Sequence, residues 1–148
     1  MSLKWVRESP AQWDADKARV VGGAAPGVFD PVFADRAEGE VLPSDWWRVE
    51  AEGRTVAYGW MDVTWGDAEI LLVVEPEARR SGVGTFILDH LEEEAYSRGL
   101  RYLYNVVPDR HPRHDEVKHW LESRRFHGSE DGKLLRAVVR APDRAATG

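Results

Sequence analysis

Val74-Glu75-Pro76-Glu77-Ala78-Arg79-Arg80-Ser81-Gly82-Val83-Gly84 is the stretch of this sequence that decides its fold. It follows an apolar run at residues 70–74, which predicts a strand covered on both faces. It precedes a helix predicted at about residues 83–98, where apolar side chains recur at helical spacing and Gly99 ends the pattern. The stretch is therefore a glycine-containing turn that leads from a buried strand into a helix.

This turn predicts an anion site. The first amides of a helix have no partner inside the helix, and they point outward with the positive end of its dipole. Gly82 and Gly84 let phosphate oxygens approach the backbone, while Arg79 and Arg80 add positive charge. Such a site suits a pyrophosphate. The P-loop and dinucleotide fingerprints fit less well, since the loop lacks a Gly-Lys-Ser/Thr ending and Ile87 stands where a third glycine is needed. A purely structural turn is the alternative.

The stretch resembles motif A of the GNAT superfamily of acetyl-CoA-dependent acyltransferases. That motif is Gln or Arg, two residues, Gly, one residue, then Gly or Ala, and residues 79–84 fit it. Val74-Glu75-Pro76 matches the family's valine–any–proline approach to the loop. The helix, the Gly99 stop and a strand predicted at residues 102–107 continue the match. The order of predicted elements from residue 3 to residue 140 is also that of the family.

The resemblance implies one α/β (α+β) domain with a mixed, mostly antiparallel sheet, splayed near its middle and flanked by helices. The domain is expected to span residues 1–140, and residues 141–148 are expected to form a disordered tail. Ser9-Pro10 and Asp30-Pro31 predict helix starts, and Asp131-Gly132 predicts a hairpin.

The cofactor implied by the resemblance is acetyl-CoA. Amides of residues 80–84 would hold its pyrophosphate, and the backbone of Leu72 and Val74 would pair with the pantetheine arm like an added strand. The Leu72 amide would lie near the thioester carbonyl and stabilise the developing oxyanion. The predicted cofactor-binding residues are Leu72, Val73, Val74, Arg79, Arg80, Ser81, Gly82, Val83 and Gly84.

The downstream motif of the family is poorly matched. In the family, a tyrosine of the last helix commonly protonates the departing CoA thiolate, and alignment on Phe126 places Leu121 at that position. Two residues are candidates for a substitute acid. His114 is followed by Asp115, and Tyr104 lies on the strand expected beside the pantetheine, where a role in sheet packing is the alternative.

The acceptor side needs a group that takes a proton from the attacking amine. Glu69, at the start of the central strand, is the first candidate, although Ala68 aligns with the glutamate of some family members. Asp62 shares a strand face with Trp60 and Thr64 and is a candidate to hold a substrate ammonium. The alternative for both acids is an exposed position without a role.

Other polar and aromatic groups have simpler interpretations. Glu75 is expected at the surface, and the run Glu92-Glu93-Glu94 is expected to be a solvated helix face. At least half of Trp46, Trp47, Trp60 and Trp65 are expected in the core, and the rest would line a pocket for an apolar or cationic amine. The spacing of His111, His114 and His119 gives no clean helical ligand pair, so no metal site is predicted.

Composition narrows the function classes. The chain has 148 residues and no cysteine, which excludes disulfides, thiolate metal sites and cysteine nucleophiles. It contains neither an apolar run of the ~20 residues that a membrane span needs nor a signal segment. These features favour the cytoplasm and no membrane partner. The net charge of −6 argues against nucleic acid and is compatible with a cationic substrate. A homodimer is compatible with the resemblance.

The resulting hypothesis is N-acetyl transfer from acetyl-CoA to a small-molecule or peptide amine by direct attack. One alternative is a non-catalytic acyl-CoA-binding regulatory or interaction module. A second is transfer of another acyl group or transfer to a hydroxyl. An antibiotic, a polyamine, an amino acid and a protein terminus all remain open as acceptors.

Overall fold

The computed structural model describes residues 2–22, 36–79, 81–109 and 111–140. These residues form seven strands and three α-helices in one continuous unit. In chain order the elements are β1 (Leu3–Glu8), α1 (Ala15–Val20), β2 (Asp45–Ala51), β3 (Arg54–Thr64), β4 (Asp67–Val74), a 3-10 turn (Pro76–Ala78), α2 (Val83–Ser97), β5 (Tyr102–Asn105), α3 (His114–Glu122), β6 (His127–Gly128) and β7 (Leu134–Ala137). No helix in these ranges is long and apolar enough to cross a membrane.

The strands form one mixed sheet in the order β1-β2-β3-β4-β5-β7-β6. Neighbouring strands are antiparallel except β4 and β5, which run parallel. That parallel pair is joined by α2, as a parallel connection requires. The predicted fold class, a mostly antiparallel mixed sheet flanked by helices, is confirmed.

Helix α2 covers one face of the sheet. Its residues Ile87, Leu88, Leu91 and Ala95 are fully buried against residues from β3, β4 and β5, among them Met61, Ile70 and Leu103. The predicted apolar side of this helix is therefore confirmed. Since α2 begins directly after the glycine turn, its packing on the sheet holds that turn beside the end of β4.

A second cluster lies on the opposite face, under α1. It contains Trp46, Tyr58, Trp60 and Val73. Helix α1 has six residues, too few to be stable alone. The side chain of Lys17 ties it to the sheet, because its ammonium is fully buried and lies 2.6 Å from Glu8 Oε1.

Two predictions about the ends of elements are wrong. The helix predicted to start at Ser9-Pro10 begins only at Ala15, and Asp14 caps it by accepting a hydrogen bond from the Lys17 amide. The strand predicted at residues 102–107 ends at Asn105, where the chain leaves the sheet. The second helix start, at Asp30-Pro31, and the expected tail lie outside the described residues.

Two acids predicted at the surface are buried. Glu75 is 3% exposed, and its carboxylate pairs with the guanidinium groups of Arg19 and Arg54. Glu92 is fully buried on the inner side of α2, where it accepts hydrogen bonds from Arg125 and Arg136. Periodicity cannot distinguish a solvated acid from one that meets a distant arginine, and buried carboxylates are stable only with such partners. Of the run Glu92-Glu93-Glu94, Glu93 is exposed as predicted.

Candidate active site

The sheet opens between β4 and β5. These strands pair only where Asp67–Glu69 faces Tyr102–Tyr104. One residue further, the Asn105 side chain donates from Nδ2 to the Ile70 carbonyl at 2.8 Å, and this bond marks the last link between the strands. Beyond it the strands diverge, as the resemblance implied, and leave a gap in the middle of the sheet.

A cavity of about 210 Å³ fills this gap. Residues 70–72 of β4 form one wall and residues 105–108, at and after the end of β5, form the other. Helix α3 closes it with Val117, Trp120 and Leu121, and His111 borders it from the preceding loop. The cavity is thus mostly apolar, with few polar side chains.

Alternate residues of β4 direct their backbone groups into the gap. The Ile70 carbonyl faces β5, since it accepts from Asn105. Because the backbone alternates along a strand, the N–H and C=O groups of Leu72 and Val74 face the same way. Val73 instead lies opposite Tyr58 of β3, with its side chain in the α1-side cluster. Leu72 and Val74 are therefore the residues of β4 that can pair with an extended ligand.

A second cavity, of about 420 Å³, continues from the gap to the start of α2. Gly82 precedes the helix with a φ of +85°, in the left-handed region that favours glycine. Among the described residues, no side chain caps this helix start. The first-turn amides of α2 are therefore open to a ligand, and their polarity suits an anion.

Arginines surround the second cavity. Arg79, Arg113 and Arg124 all line it, together with Glu116, which pairs with Arg113 at 2.6 Å. The Arg79 guanidinium donates to the Val74 carbonyl at 3.2 Å, and that of Arg124 donates to the Thr85 hydroxyl at 2.8 Å. The local charge is thus positive within a protein whose net charge is negative.

Two predicted members of the phosphate loop have separate outcomes. Arg80, predicted to contribute charge, lies outside the described residues. The Ser81 hydroxyl donates to the Ala78 carbonyl at the end of the 3-10 turn. Ser81 therefore uses its side chain to close the turn, and neither Ser81 nor the buried Val83 belongs to the described lining of the cavity.

The indole of Trp120 lies between the two cavities and lines both. A Cβ atom placed on Gly84 would meet the Trp120 ring at 2.9 Å. The Arg124 guanidinium lies 4.6 Å from the centroid of the same ring. Trp120 and Gly84 together therefore shape the passage from the helix start to the gap.

The residues predicted on the acceptor side lie next to each other on the face of the sheet opposite α2. Asp62 of β3 lies directly opposite Glu69 of β4, and Glu69 lies opposite Tyr104 of β5. The Ser44 hydroxyl donates to Asp62 at 3.1 Å, and the Lys133 ammonium lies 4.8 Å from the centroid of the Tyr104 ring. Asp62, Glu69 and Tyr104 thus form a row of polar side chains across three strands. This row ends where the gap begins, one residue beyond Glu69.

The surroundings of this row shift the pKa values of Glu69 and Tyr104. Burial raises the pKa of Glu69, and the negative charge of Asp62 raises it further, against the opposing charge of Lys133. Burial also raises the pKa of the Tyr104 phenol, as does the charge of Glu69. Two carboxylates directly opposite each other repel, so this arrangement favours either a proton or a cation between them.

His114 lies apart from both cavities. It is the first residue of α3, and its Nδ1 is 2.9 Å from Asp115 Oδ1. It lines a separate groove with Lys118 and Lys133, on the far side of residues 106–108. Tyr104 is likewise absent from the described lining of the gap cavity and points to the acceptor face. The two predicted acids thus lie on different surfaces.

Three of the four tryptophans considered above are buried. Trp46 and Trp60 belong to the α1-side cluster, and Trp47 stacks on Trp5 at 5.4 Å on the other face. Trp65 is 92% exposed at the turn between β3 and β4. The expectation that at least half are core residues is confirmed.

Several residues that line the site are not recognised as site residues from the sequence. Asn105, Arg113, Trp120 and Arg124 line it without having been candidates, and His111 is a candidate there only as a metal ligand. Arg113 and Arg124 could have been predicted, because both are cations that lie next to the ends of α3 in the sequence. The others enter the site through contacts that the sequence does not reveal.

A family model described as the acetyltransferase (GNAT) family matches residues 24–121, well over half of the chain. The chain belongs to the GNAT acetyltransferase family. Among curated proteins, no relative matches it by sequence. The prediction made from residues 79–84 is therefore confirmed at the level of the family, and with it the class of reaction, acetyl transfer.

Solved structures with similar folds include acetyltransferases. The Escherichia coli ribosomal-protein-S18-alanine N-acetyltransferase is 18% identical with a TM-score of 0.61, and the match covers 95% of this chain and 96% of that one. Ard1 from Thermoplasma volcanium is 15% identical with a TM-score of 0.69, covering 95% and 100%. N-acetylglutamate synthase from Neisseria gonorrhoeae, complexed with coenzyme A and L-arginine, is 19% identical with a TM-score of 0.56. That match covers 64% of this GNAT chain and only 25% of the synthase.

Acetyl-CoA is the acyl donor of this family, and the residues present fit it. The helix start of α2 has no described side-chain cap, and Gly82 leaves its approach open. Three arginines line the cavity beside it. Beyond Glu69 the edge of β4 at Leu72 and Val74 has no neighbouring strand on the side of the gap, although the Val74 carbonyl already accepts from Arg79 Nε, and an extended arm could lie along it. The two cavities share Leu72, His111, Val117 and Trp120, so together they form a channel with a surface suited to a phosphate group at one end and to an extended arm at the other.

Proposed function

We propose that this GNAT protein transfers an acetyl group from acetyl-CoA to a primary amine by direct attack. The observation that carries the proposal is the position of Glu69. It ends the row of acceptor-side polar groups at the point where β4 and β5 separate. The amine and the thioester would then meet through the gap from opposite faces of the sheet. The chain has no cysteine to carry an acyl group between two steps.

The donor would be held along the channel described above. The amides of residues 80–84, with Arg79, would bind the pyrophosphate, and Arg113 and Arg124 would add charge from the two flanks of α3. The backbone of Leu72 and Val74 would pair with the pantetheine amides. When bound, acetyl-CoA supplies an activated acyl group. The Leu72 N–H would donate to the acyl oxygen as it gains negative charge.

The acceptor would be held by the carboxylates. The charge of Asp62 would attract the substrate as an ammonium, which would lose one proton to water before it attacks, and Glu69 would take the second proton as the carbon–nitrogen bond forms. The raised pKa of Glu69 suits this role, because a general base works best when its pKa approaches the operating pH. The same carboxylates would repel an acidic substrate, so we propose a cationic amine.

The candidate acceptors that remain, peptide amino termini and small amines, differ in size. One of the similar structures is named as an N-acetyltransferase, and its name specifies an alanine of a ribosomal protein. A peptide amino terminus and a small polyamine both present the ammonium that the carboxylates would select. A panel that contains both classes therefore tests the substrate as well as the reaction.

A CoA-binding module without catalysis is the second candidate, and Leu121 favours it. Leu121 stands where the family commonly has its acidic tyrosine, and its side chain is buried at the wall of the gap cavity. It has no proton to give. Thiols are nevertheless acidic enough, with a pKa of about 8.5 for the cysteine side chain, that a thiolate is a tolerable leaving group, so turnover does not require that tyrosine.

Two measurements separate these candidates. Calorimetry should detect binding of CoA, and release of free thiol from acetyl-CoA should follow when a suitable amine is added. Binding of CoA without thiol release across peptide and small amines would support the non-catalytic module. A folded protein that binds no CoA at millimolar concentration would contradict both proposals.

A further inference from the structure

His111 is the titratable side chain at the gap cavity. Among the described residues that line this cavity, the other polar side chains are Asn105 and Trp120. Asn105 already donates to the Ile70 carbonyl, and the Trp120 ring packs on Gly84. His111 also lines the outer cavity, so its ring stands where the two meet. It therefore borders both cavities in which the proposed cofactor would lie.

The hydrogen bonding of His111 orients its ring. The Arg113 amide N–H lies 2.9 Å from Nδ1, so Nδ1 accepts and the neutral ring carries its proton on Nε2. Burial lowers the pKa of His111, and the charges of His114 and Arg113 lower it further. At neutral pH the ring is therefore an uncharged donor with a fixed Nε2–H group.

We infer that the His111 Nε2–H donates a hydrogen bond to the sulfur of CoA as the thiolate leaves. The inference rests on the proposed function. In the step itself, the amine nitrogen forms a bond to the acyl carbon, and the carbon–sulfur bond breaks with its electron pair going to sulfur. The proton of the amine goes to Glu69. His111 keeps its proton and stabilises the new negative charge, which a hydrogen bond to an ion does well.

This assignment differs from the two acids predicted by sequence. His114 faces a separate groove and Tyr104 faces the acceptor side. His111 alone of the three borders the gap cavity, which Leu72 also lines. An uncharged donor also agrees with the apolar walls of this cavity, where a permanent charge would be costly.

The thiol of bound CoA provides the test. Its pKa is measured from the ultraviolet absorbance of the thiolate as pH is raised, with the protein saturated. In the wild-type protein we expect a pKa about one unit below that of free CoA measured in the same way, which is tenfold in the dissociation constant. His111→Ala should return most of that shift. His111→Gln, whose amide N–H can also donate, should keep part of it, and His114→Ala should keep all of it.

Each outcome decides the question. Equal thiol pKa values in the wild type and His111→Ala, with CoA bound to both, overturn the inference and leave the proposed function intact. A tenfold loss of CoA affinity in His111→Ala with no change of thiol pKa would place the ring on another part of CoA and also overturn it. If His111→Ala does not fold, His111→Gln and its pKa carry the comparison. A wild-type protein that binds no CoA overturns the proposed function and this inference together.

Discussion

Gly84 lies against the indole of Trp120, and this contact accounts for glycine at the second position of the loop. The family motif accepts glycine or alanine there, yet an added Cβ would stand 2.9 Å from Trp120 Cζ2 and 3.1 Å from Cη2. Gly82 differs, because no described atom would lie within 4 Å of a Cβ added to it, and its φ of +85° is the constraint. The two glycines of one motif thus serve different physical needs.

Gly84→Ala should lower the free energy of unfolding by about 1–3 kcal/mol, the usual cost of overpacking. In a Trp120→Leu background the same change should be neutral or stabilising, since alanine is favoured over glycine inside a helix by about 1 kcal/mol. Urea denaturation of the four proteins measures the coupling. Gly128→Ala, where an added Cβ meets no described atom within 4 Å, is the control. Equal effects of Gly84→Ala in both backgrounds would refute the contact.

Glu69 and Asp62 are expected to set the pH dependence of the reaction. A base must be deprotonated, so the raised pKa of Glu69 places the acid limb of the kcat/KM profile above the ordinary glutamate range. Glu69→Gln should lower the rate by about 10²–10⁴-fold above that limb, and the difference should shrink below it, where Glu69 of the wild type is itself protonated. Asp62→Asn removes a charge that raises the pKa of Glu69, so its acid limb should move to lower pH.

Steady-state rates with saturating acetyl-CoA from acidic to alkaline pH measure both effects. Glu130→Gln is a suitable control, because Glu130 is an exposed acid outside the row. An unchanged pH profile in Glu69→Gln would remove Glu69 from the mechanism. An acid limb that stays in place in Asp62→Asn would show that the two carboxylates are not coupled.

At the scale of elements, the start of α2 is held in place from both sides. Behind it, Glu75 follows β4 and pairs with Arg54 of β3 and Arg19 of α1. Ahead of it, the fifteen residues of α2 pack along the sheet. The start of α2 is therefore fixed between two packed segments, which would limit the cost of ordering it on binding.

Gly82→Ala should weaken CoA binding by tenfold or more, and by more than Arg80→Ala, because it blocks backbone approach and strains the turn. Gly132→Ala controls for strain, since Gly132 has a φ of +83° and similarly open surroundings in the hairpin before β7. Calorimetric titration with CoA gives the comparison. If the Gly82→Ala and Gly132→Ala proteins both bind CoA like the wild type, the loop does not hold the phosphates.

At the scale of the whole molecule, Glu92 joins three elements. Its carboxylate accepts from Arg125 after α3 at 2.6 Å, from Arg136 of β7 at 2.8 Å and from the Val139 amide at 3.0 Å. Burial by itself would raise the pKa of Glu92, but these hydrogen bonds and the charge of Arg136 outweigh it and lower the pKa. The part of the sheet beyond the gap is thereby attached to α2.

Glu92→Gln should lower the free energy of unfolding at pH 7 by about 3–5 kcal/mol, as expected when one partner of a buried ion pair is removed. A carboxylate whose pKa is lowered on folding contributes stability above its unfolded pKa of about 4.5, and that stability is lost as pH falls through the folded value. The difference between variant and wild type should therefore shrink in acid. Denaturation at several pH values measures it, with the exposed neighbour Glu93→Gln as control. A difference that persists unchanged in acid would contradict the ionic role.

Much of the fold and of the donor site could be predicted from the sequence because their signals are local. A strand followed by Gly82 and a helix is specified by neighbouring residues, and so is the alternation that puts Asp62 on one face with Trp60. The end of β5 was not predictable, since Val106 and Val107 continue a strand pattern. The chain leaves the sheet there because β4 has turned away and only the Asn105 side chain still reaches it.

The sequence by itself determined the family, the order of the elements and the position of the glycine loop that we propose holds the phosphates. Tertiary structure alone decided which acids are buried, which histidine borders the gap and which side chain requires Gly84. Glu75 and Glu92 owe their burial to arginines up to 56 residues away in the chain. His111 and His114 are three positions apart, yet of the two only His111 borders the gap cavity, whereas His114 lines the groove with Lys118 and Lys133. Such choices depend on contacts between distant segments, and no local pattern of residues encodes them.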